Sequence, residues 1–149
     1  MHPVDALLHD ARQLLGDHTP TALPTLAIPQ PPTPPAGWTS EAADNAQAAG
    51  DTLHRNLTRI ADLHATARAL IDEASDTVLS ARTQLQGIEH QWAADQASAT
   101  ADATNPDGAS ALLSAARDHT TTITELVRAT AEHFHASAQK LAAITKHLA

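Results

Sequence analysis

Apolar residues recur at the three- and four-residue steps of an α-helix along two long stretches of this chain. The first stretch covers residues 39–100 and contains no proline, and the second covers residues 106–148. Because positions three and four apart share one helix face, each stretch predicts a long helix with an apolar seam. The seam of the first stretch consists of Ala46, Ala49, Leu53, Leu57, Ile60, Leu63, Ala67, Leu70, Ala74, Val78, Ala81, Leu85, Ile88 and Trp92.

A shorter helix is predicted before these two, over residues 3–16. Pro3 suits the first position of a helix, and Gly16 is a natural terminator because glycine adopts the left-handed conformation that ends many helices. Residues 17–37 then contain seven of the nine prolines. Proline has no amide hydrogen and a fixed φ, so this segment is predicted to be a stiff, extended connector.

The helical pattern breaks over residues 98–110, where a short turn would join the two long helices. A short connection favours antiparallel neighbours, and neither long helix can bury its seam alone. We therefore expect an all-α fold: a long antiparallel, coiled-coil-like helical hairpin in a single domain, residues 1–149, with a short N-terminal helix and a proline-rich connector. The composition agrees, because 33 alanines and 17 leucines suit closely packed helices.

The first long helix is predicted to extend beyond the second, which leaves its seam from residue 40 to about residue 57 without a partner. An uncovered apolar seam favours binding of another helix. Trp38 is also expected to anchor the connector, contributing about 1.5–3 kcal/mol if it is fully buried. The partner is expected to be another helical protein or a second copy of the chain, in a heterodimer or a homodimer. The predicted partner-binding residues are Trp38, Ala46, Ala49, Leu53, Leu57 and Ile60.

Charge and cysteine content exclude several classes of function. Nine basic and seventeen acidic residues give a formal net charge of −8. Nucleic-acid binding depends on basic side chains that release counterions, so no nucleic-acid partner is expected. No stretch approaches the roughly 20 apolar residues of a membrane span, and the N-terminus lacks the basic region of a cleavable signal peptide. The absence of cysteine excludes disulfides and thiolate chemistry.

Ten histidines raise the question of a metal site. Glu132 with His135, and Asp51 with His54, have the three-residue spacing that di-metal helical bundles use. In the hairpin Asp51 would lie far from Glu132, so the ligand set does not close and no metal site is predicted. The acidic residues that the first long helix would bring opposite Glu132 are Asp72, Glu73 and Asp76.

No catalytic residue and no cofactor is predicted either. The chain contains no Gly-x-Ser-x-Gly turn, no glycine-rich phosphate loop and no predicted strand that could carry one of them. We therefore expect that the protein is not an enzyme.

A tryptophan motif lies where the connector meets the first long helix and consists of Gly37, Trp38, Thr39, Ser40, Glu41, Ala42 and Ala43. It resembles the turn of the WXG100-like helical hairpin proteins of actinobacterial type VII (ESX) secretion, with Ser40 where the family usually has glycine. The resemblance implies a protein that binds another helical hairpin in a dimer or pseudo-dimer. The family's Tyr-x-x-x-Asp/Glu export signal is missing, because the chain has no tyrosine. The proline-rich leader also resembles that of a mycobacterial helical family, some of whose members precede cell-wall hydrolase domains.

We therefore expect a noncatalytic helical protein-protein interaction module. The resemblance implies a substrate, partner or accessory protein of type VII secretion, located in the cytoplasm or secreted without a cleavable signal peptide. Two alternatives stay open: a metal-binding helical bundle that uses His, Asp and Glu, and a regulatory or targeting module for a separately encoded cell-wall hydrolase.

Overall fold

The computed structural model describes residues 2–17, 21–30, 35–101 and 106–148. Its helices are α1, Pro3–Leu15; α2, Glu41–Ala101; and α3, Pro106–Leu148. The described ranges contain no strand, so the all-α prediction is confirmed. Within them, no helix combines the length and the apolar character that crossing a bilayer requires. The turn predicted between the long helices falls on residues 102–105, outside the described residues.

α1 begins at a reciprocal cap formed by His2 and Asp5. The His2 Nδ1 accepts a hydrogen bond from the Val4 N–H at 3.4 Å, and the Asp5 carboxylate accepts one from the His2 N–H at 3.1 Å. These bonds satisfy amide donors that a helix start leaves unpaired. α1 ends before Gly16, whose φ is +63° and whose N–H donates to the Gln13 carbonyl at 3.2 Å. Gly16 is therefore the C-cap of α1.

α2 begins after a tight turn and a serine cap. The Trp38 N–H donates to the Pro35 carbonyl at 3.2 Å, and Gly37 between them has a φ of +85°. A positive φ at this place in a turn favours glycine, which has no Cβ to clash. The Ser40 hydroxyl then accepts a hydrogen bond from the Ala43 N–H at 3.2 Å. Ser40 is therefore the cap that satisfies a free amide at the start of α2.

The described residues form two compact units, and each long helix contributes to both. The first unit comprises Met1–Thr21 and Glu73–Ala138, which contain α1, the C-terminal part of α2 and most of α3. The second comprises Ala22–Asp72 and Gln139–Ala149, which contain the N-terminal part of α2 and the end of α3. The expectation of a single domain stays a prediction.

The first unit has a hydrophobic core to which all three helices contribute. Ile123 of α3 is 0% exposed and Trp92 of α2 is 2% exposed. Burying an apolar side chain of this size contributes roughly 1.5–3 kcal/mol. The buried members of the core are Val4, Leu8, Ala11, Leu85, Ile88, Trp92, Ala116 and Ile123. α1 is therefore an integral part of this core.

Within the first unit, α2 and α3 run antiparallel. The His119 Nε2 lies 2.7 Å from the Asp95 carboxylate, and the His133 Nε2 lies 3.8 Å from the Glu73 carboxylate. The residue numbers of the contacts therefore decrease along α2 as they increase along α3, as in an antiparallel pair of helices. The same direction over the rest of the two helices stays a prediction.

The second unit buries far fewer hydrophobic side chains than the first. Among its described hydrophobic side chains, only Ala43 and Leu70 are buried. The connector residues 22–30 have no regular secondary structure, and Leu26 within them is 46% exposed. The Arg68 guanidinium donates a hydrogen bond to the Thr25 hydroxyl at 2.6 Å. The connector is thus attached to α2 by a polar contact.

Candidate functional site

The residues predicted to bind a partner lie in the second unit, on α2 and just before it. Leu53 is 60% exposed and Ile60 is 42% exposed. Ala46 and Ala49 are also exposed, whereas Leu57 is half-buried. Four of these five α2 residues therefore lie at the surface, and two of them are large and apolar.

Burial increases along one face of α2. The face is exposed as far as Ile60, half-buried at Leu63 and Ala67, and buried at Leu70. All of these positions belong to one seven-residue repeat, so the uncovered residues continue a seam that is covered further along the helix. We use the name exposed seam for its uncovered positions, which are Ala42, Ala46, Ala49, Leu53, Asn56 and Ile60.

Trp38 is not the buried anchor that the sequence predicted, because its side chain is 53% exposed. An indole anchors a segment only where neighbouring side chains enclose it. The second unit offers no such enclosure among its described residues, since Ala43 and Leu70 are its only buried hydrophobic side chains there. The backbone hydrogen bond across Gly37, from Trp38 to the Pro35 carbonyl, sets the path into α2 instead. The free energy expected for a buried indole therefore does not apply.

The carboxylate and imidazole pairs that suggested a metal site lie on the surface. Glu73, which was expected opposite Glu132, has its carboxylate 3.8 Å from the ring of the neighbouring His133. Among the residues that the structure describes, no three His, Asp or Glu side chains are grouped so that they could hold a metal ion. The exposed members of the two pairs are Asp51, His54, Glu132 and His135.

A polar cluster around Trp92 in the first unit was not predicted. The Trp92 indole N–H donates a hydrogen bond to the Asp5 carboxylate at 2.8 Å. The His2 and His119 rings lie beside the indole, with centroids 4.7 Å and 5.7 Å from it. His119 also contacts Asp95. The seam pattern identified Trp92 as a core residue, but it could not identify partners that α1 and α3 bring from distant positions.

The hydrogen bond from Trp92 lowers the pKa of the Asp5 carboxyl below its ordinary value of 3.8. Partial burial opposes this shift in pKa, whereas the His2 N–H and imidazole reinforce it. A lowered folded-state pKa means that the ionised carboxylate stabilises the folded state above pH 3.8. That contribution is lost as the pH falls through the folded-state pKa.

Two further polar contacts hold α1 against α2. Arg12 forms an ion pair with Glu89, and the Arg82 guanidinium donates to the Leu15 carbonyl at 2.9 Å. The second contact satisfies a carbonyl that the end of a helix leaves unpaired. An open cleft of about 390 Å³ lies beside α1 and is lined by the same Arg12 and Glu89. The charged groups in this region pair with one another, so their arrangement favours docking of α1 rather than chemistry on a ligand.

Comparisons of this chain with protein-family models, with curated proteins and with solved structures give no match. The likeness around Trp38 accordingly stays a resemblance. The geometry of the exposed seam is then the main basis for inferring a function.

Proposed function

We propose that this chain is a noncatalytic helical module that binds a helical partner through the exposed seam of α2. The observation that carries the proposal is the exposure of two large apolar side chains of α2. Leu53 is 60% exposed and Ile60 is 42% exposed, and both lie more than two turns from the ends of the helix. Large apolar side chains that repeat on one helix face are unfavourable when they are exposed to water. Packing them against another helix removes this apolar surface from water and lowers the free energy. The proposal assigns no catalytic residue and no cofactor.

The proposed architecture is a long antiparallel, coiled-coil-like hairpin of α2 and α3, preceded by α1 and the proline-rich connector. Its support is the antiparallel contact in the first unit, where Asp95 meets His119 and Glu73 approaches His133. A hairpin of two helices with unequal seams leaves part of the longer seam for a partner.

For the biological setting we propose type VII secretion, in which the protein would be a substrate, partner or accessory protein. The support is the resemblance of the Gly37–Ala43 motif, together with the turn at Gly37 and the cap at Ser40 that lead into α2. The protein would then stay in the cytoplasm or leave the cell without a cleavable signal peptide. Immunoblots of culture filtrates from the source organism, with and without its type VII genes, test export by this route.

The binding function is tested with a double variant in which Leu53 and Ile60 become Gln. Leu57 is left intact because it is half-buried, so the fold of the second unit is preserved. The matched control is Leu79→Gln, since Leu79 is also a leucine of α2, is 44% exposed and lies off the exposed seam. Circular dichroism checks that all three proteins have the same helicity.

Binding is measured as the mass at sedimentation equilibrium and as the proteins that each immobilised chain retains from a lysate of the source organism. We expect the double variant to lose at least about tenfold in affinity for its partner, equivalent to about 1.4 kcal/mol, while Leu79→Gln behaves as the wild type. Equal masses and equal retained proteins for all three chains would refute the proposal.

A further inference from the structure

The six positions of the exposed seam have the spacing of one strand of a coiled coil. They alternate between the first and the fourth positions of a seven-residue repeat, and all six are exposed. The same repeat continues into Leu63, Ala67 and Leu70, where burial increases. Among the described residues, the exposed seam is therefore continuous with a covered part of the same helix face, and its uncovered positions lie between residues 42 and 60.

We propose that a second copy of this chain covers the exposed seam, with the two α2 helices antiparallel and a two-fold axis at Asp51. This inference rests on the proposed function and identifies its partner. In an antiparallel pair, a first-position residue of one helix meets a fourth-position residue of the other. With the axis at Asp51, every position of the exposed seam meets another position of the exposed seam, so none remains uncovered.

The facing residues are complementary in size. Each layer combines one small side chain with one larger side chain, which lets the layers interdigitate while the helix axes stay close. In a parallel pair each residue would meet itself, so layers of two alanines would leave gaps beside layers of two isoleucines. The facing pairs are Ile60 with Ala42, Leu53 with Ala49, and Asn56 with Ala46 of the second copy.

The charges on α2 are compatible with this pairing. Between residues 42 and 60, Asp44, Asp51 and Arg55 lie at positions of the repeat that point away from the seam. Arg59 borders the seam, and in the antiparallel pair it would lie beside Asn45 of the second copy rather than beside another charge. Each copy carries a formal net charge of −8, so screening by salt strengthens the association.

Asn56 is the one polar residue in the exposed seam. A single polar residue in such a seam specifies the register and lowers the stability of the pair. The dimer is therefore expected to be reversible, and Asn56→Leu is expected to tighten it while reducing its preference for one register.

Pairs of single-cysteine chains test the arrangement, because the natural chain contains no cysteine. Equal amounts of Ala46→Cys and Asn56→Cys chains are equilibrated in a glutathione redox buffer, and the disulfide-linked dimers are identified by intact mass. Random pairing gives equal amounts of mixed and like dimers. The proposed register places positions 46 and 56 opposite each other, so mixed dimers should exceed like dimers by roughly tenfold.

Two controls accompany this mixture. In the first, Ile60→Cys replaces Asn56→Cys, which displaces the two thiols by about 6 Å along the helix axis and should remove the excess of mixed dimers. In the second, Leu53→Gln is added to both original chains and should reduce the yield of linked dimers roughly tenfold. An excess of like dimers would indicate a parallel pair and would overturn the proposal.

Sedimentation equilibrium of the natural chain separates a failure of this inference from a failure of the proposed function. If the chain stays monomeric at all concentrations up to about 1 mM, its Kd for self-association exceeds the millimolar range, and the self-pairing is overturned. If lysate proteins still bind the wild type and not the Leu53→Gln, Ile60→Gln variant, the proposed function survives with a different partner. If the seam affects neither assay, both are wrong.

Discussion

The two tryptophans of this chain have opposite environments. Trp92 is 2% exposed and is hydrogen-bonded through its indole N–H to Asp5, whereas Trp38 is 53% exposed. Trp38 precedes α2 and Trp92 belongs to it. The sequence around each tryptophan does not show which of the two is buried. Burial of Trp92 depends on side chains that α1 and α3 bring to it, and no equivalent group surrounds Trp38 among the described residues of the second unit.

The environments of the two indoles can be measured separately by fluorescence. In Trp92→Phe, the emission of Trp38 is expected to be water-like and readily quenched by acrylamide. In Trp38→Phe, the emission of Trp92 is expected to be blue-shifted and protected, because the three-helix core excludes water from the indole. A blue-shifted Trp38 would show that a partner or the connector covers it, contrary to its exposure of 53%.

Asp5 is expected to stabilise the first unit in a pH-dependent way. Replacing it with Asn removes the charge that accepts the Trp92 and His2 N–H bonds, which should cost roughly 1 kcal/mol at pH 7. Because the folded-state pKa of Asp5 lies below 3.8, the wild type loses this advantage only as the pH falls through that lower value. Urea unfolding at several pH values measures the difference.

The control for this measurement is Asp10→Asn, since Asp10 is an exposed acid on the same helix. It should change the free energy of unfolding by no more than about 0.5 kcal/mol. A difference between wild type and Asp5→Asn that stays constant from pH 7 to pH 2 would show that the carboxylate charge is not the cause.

Among the elements, α1 shows most clearly where prediction from the sequence ends. Pro3 and Gly16 predict that this helix exists, because both residues act locally at its ends. They do not predict its docking site, because many apolar surfaces could accept a short amphipathic helix. In the structure, α1 packs in the first unit beside Leu85, Ile88 and Trp92.

The candidate site was predicted in a similar, partial way. Helical spacing identified Ala46, Ala49, Leu53 and Ile60, of which Leu53 and Ile60 are large and exposed. It also placed Leu57 on the seam, where Leu57 is half-buried, and it did not identify Ala42 and Asn56. The prediction that Trp38 is buried was wrong. Burial depends on the side chains that tertiary packing brings against a residue, and the local sequence does not specify them. Local signals therefore place residues on a helix face, and only tertiary packing decides which part of that face stays uncovered.

The docking of α1 can be tested by two leucine substitutions on the same helix. Leu8 is 6% exposed and Leu14 is 75% exposed. Leu8→Ala removes buried side-chain atoms and leaves a cavity, so we expect a loss of about 2–5 kcal/mol in the free energy of unfolding. Leu14→Ala should change it by less than about 0.5 kcal/mol.

Both variants are made with Trp38→Phe, so that the emission of Trp92 reports on the contact with α1. Urea titrations followed by circular dichroism and by this emission give the free energies of unfolding. Equal effects of the two alanine substitutions would mean that α1 does not pack on the core of the first unit.

At the scale of the whole molecule, the two units differ in how much apolar surface they bury. The first unit encloses a core that all three helices share, whereas the second buries only Ala43 and Leu70 among its described hydrophobic side chains. Segments with few buried contacts open at a lower free energy than segments in a packed core. One continuous helix, α2, therefore contains residues from a well-packed unit and from a sparsely packed one.

This difference predicts a gradient of amide hydrogen exchange along α2. In dilute protein, residues 46–60 should exchange at least about tenfold faster than residues 81–92, after correction for intrinsic rates, because the latter open only when the core of the first unit opens. Raising the protein concentration should slow exchange in residues 46–60 alone if a second copy covers the exposed seam. The Leu53→Gln, Ile60→Gln variant should lack this concentration dependence. Uniform exchange along α2 in dilute protein would show that the exposed seam is as stable as the packed core. The seam would then need no partner to stabilise it, which would contradict the argument for a second copy.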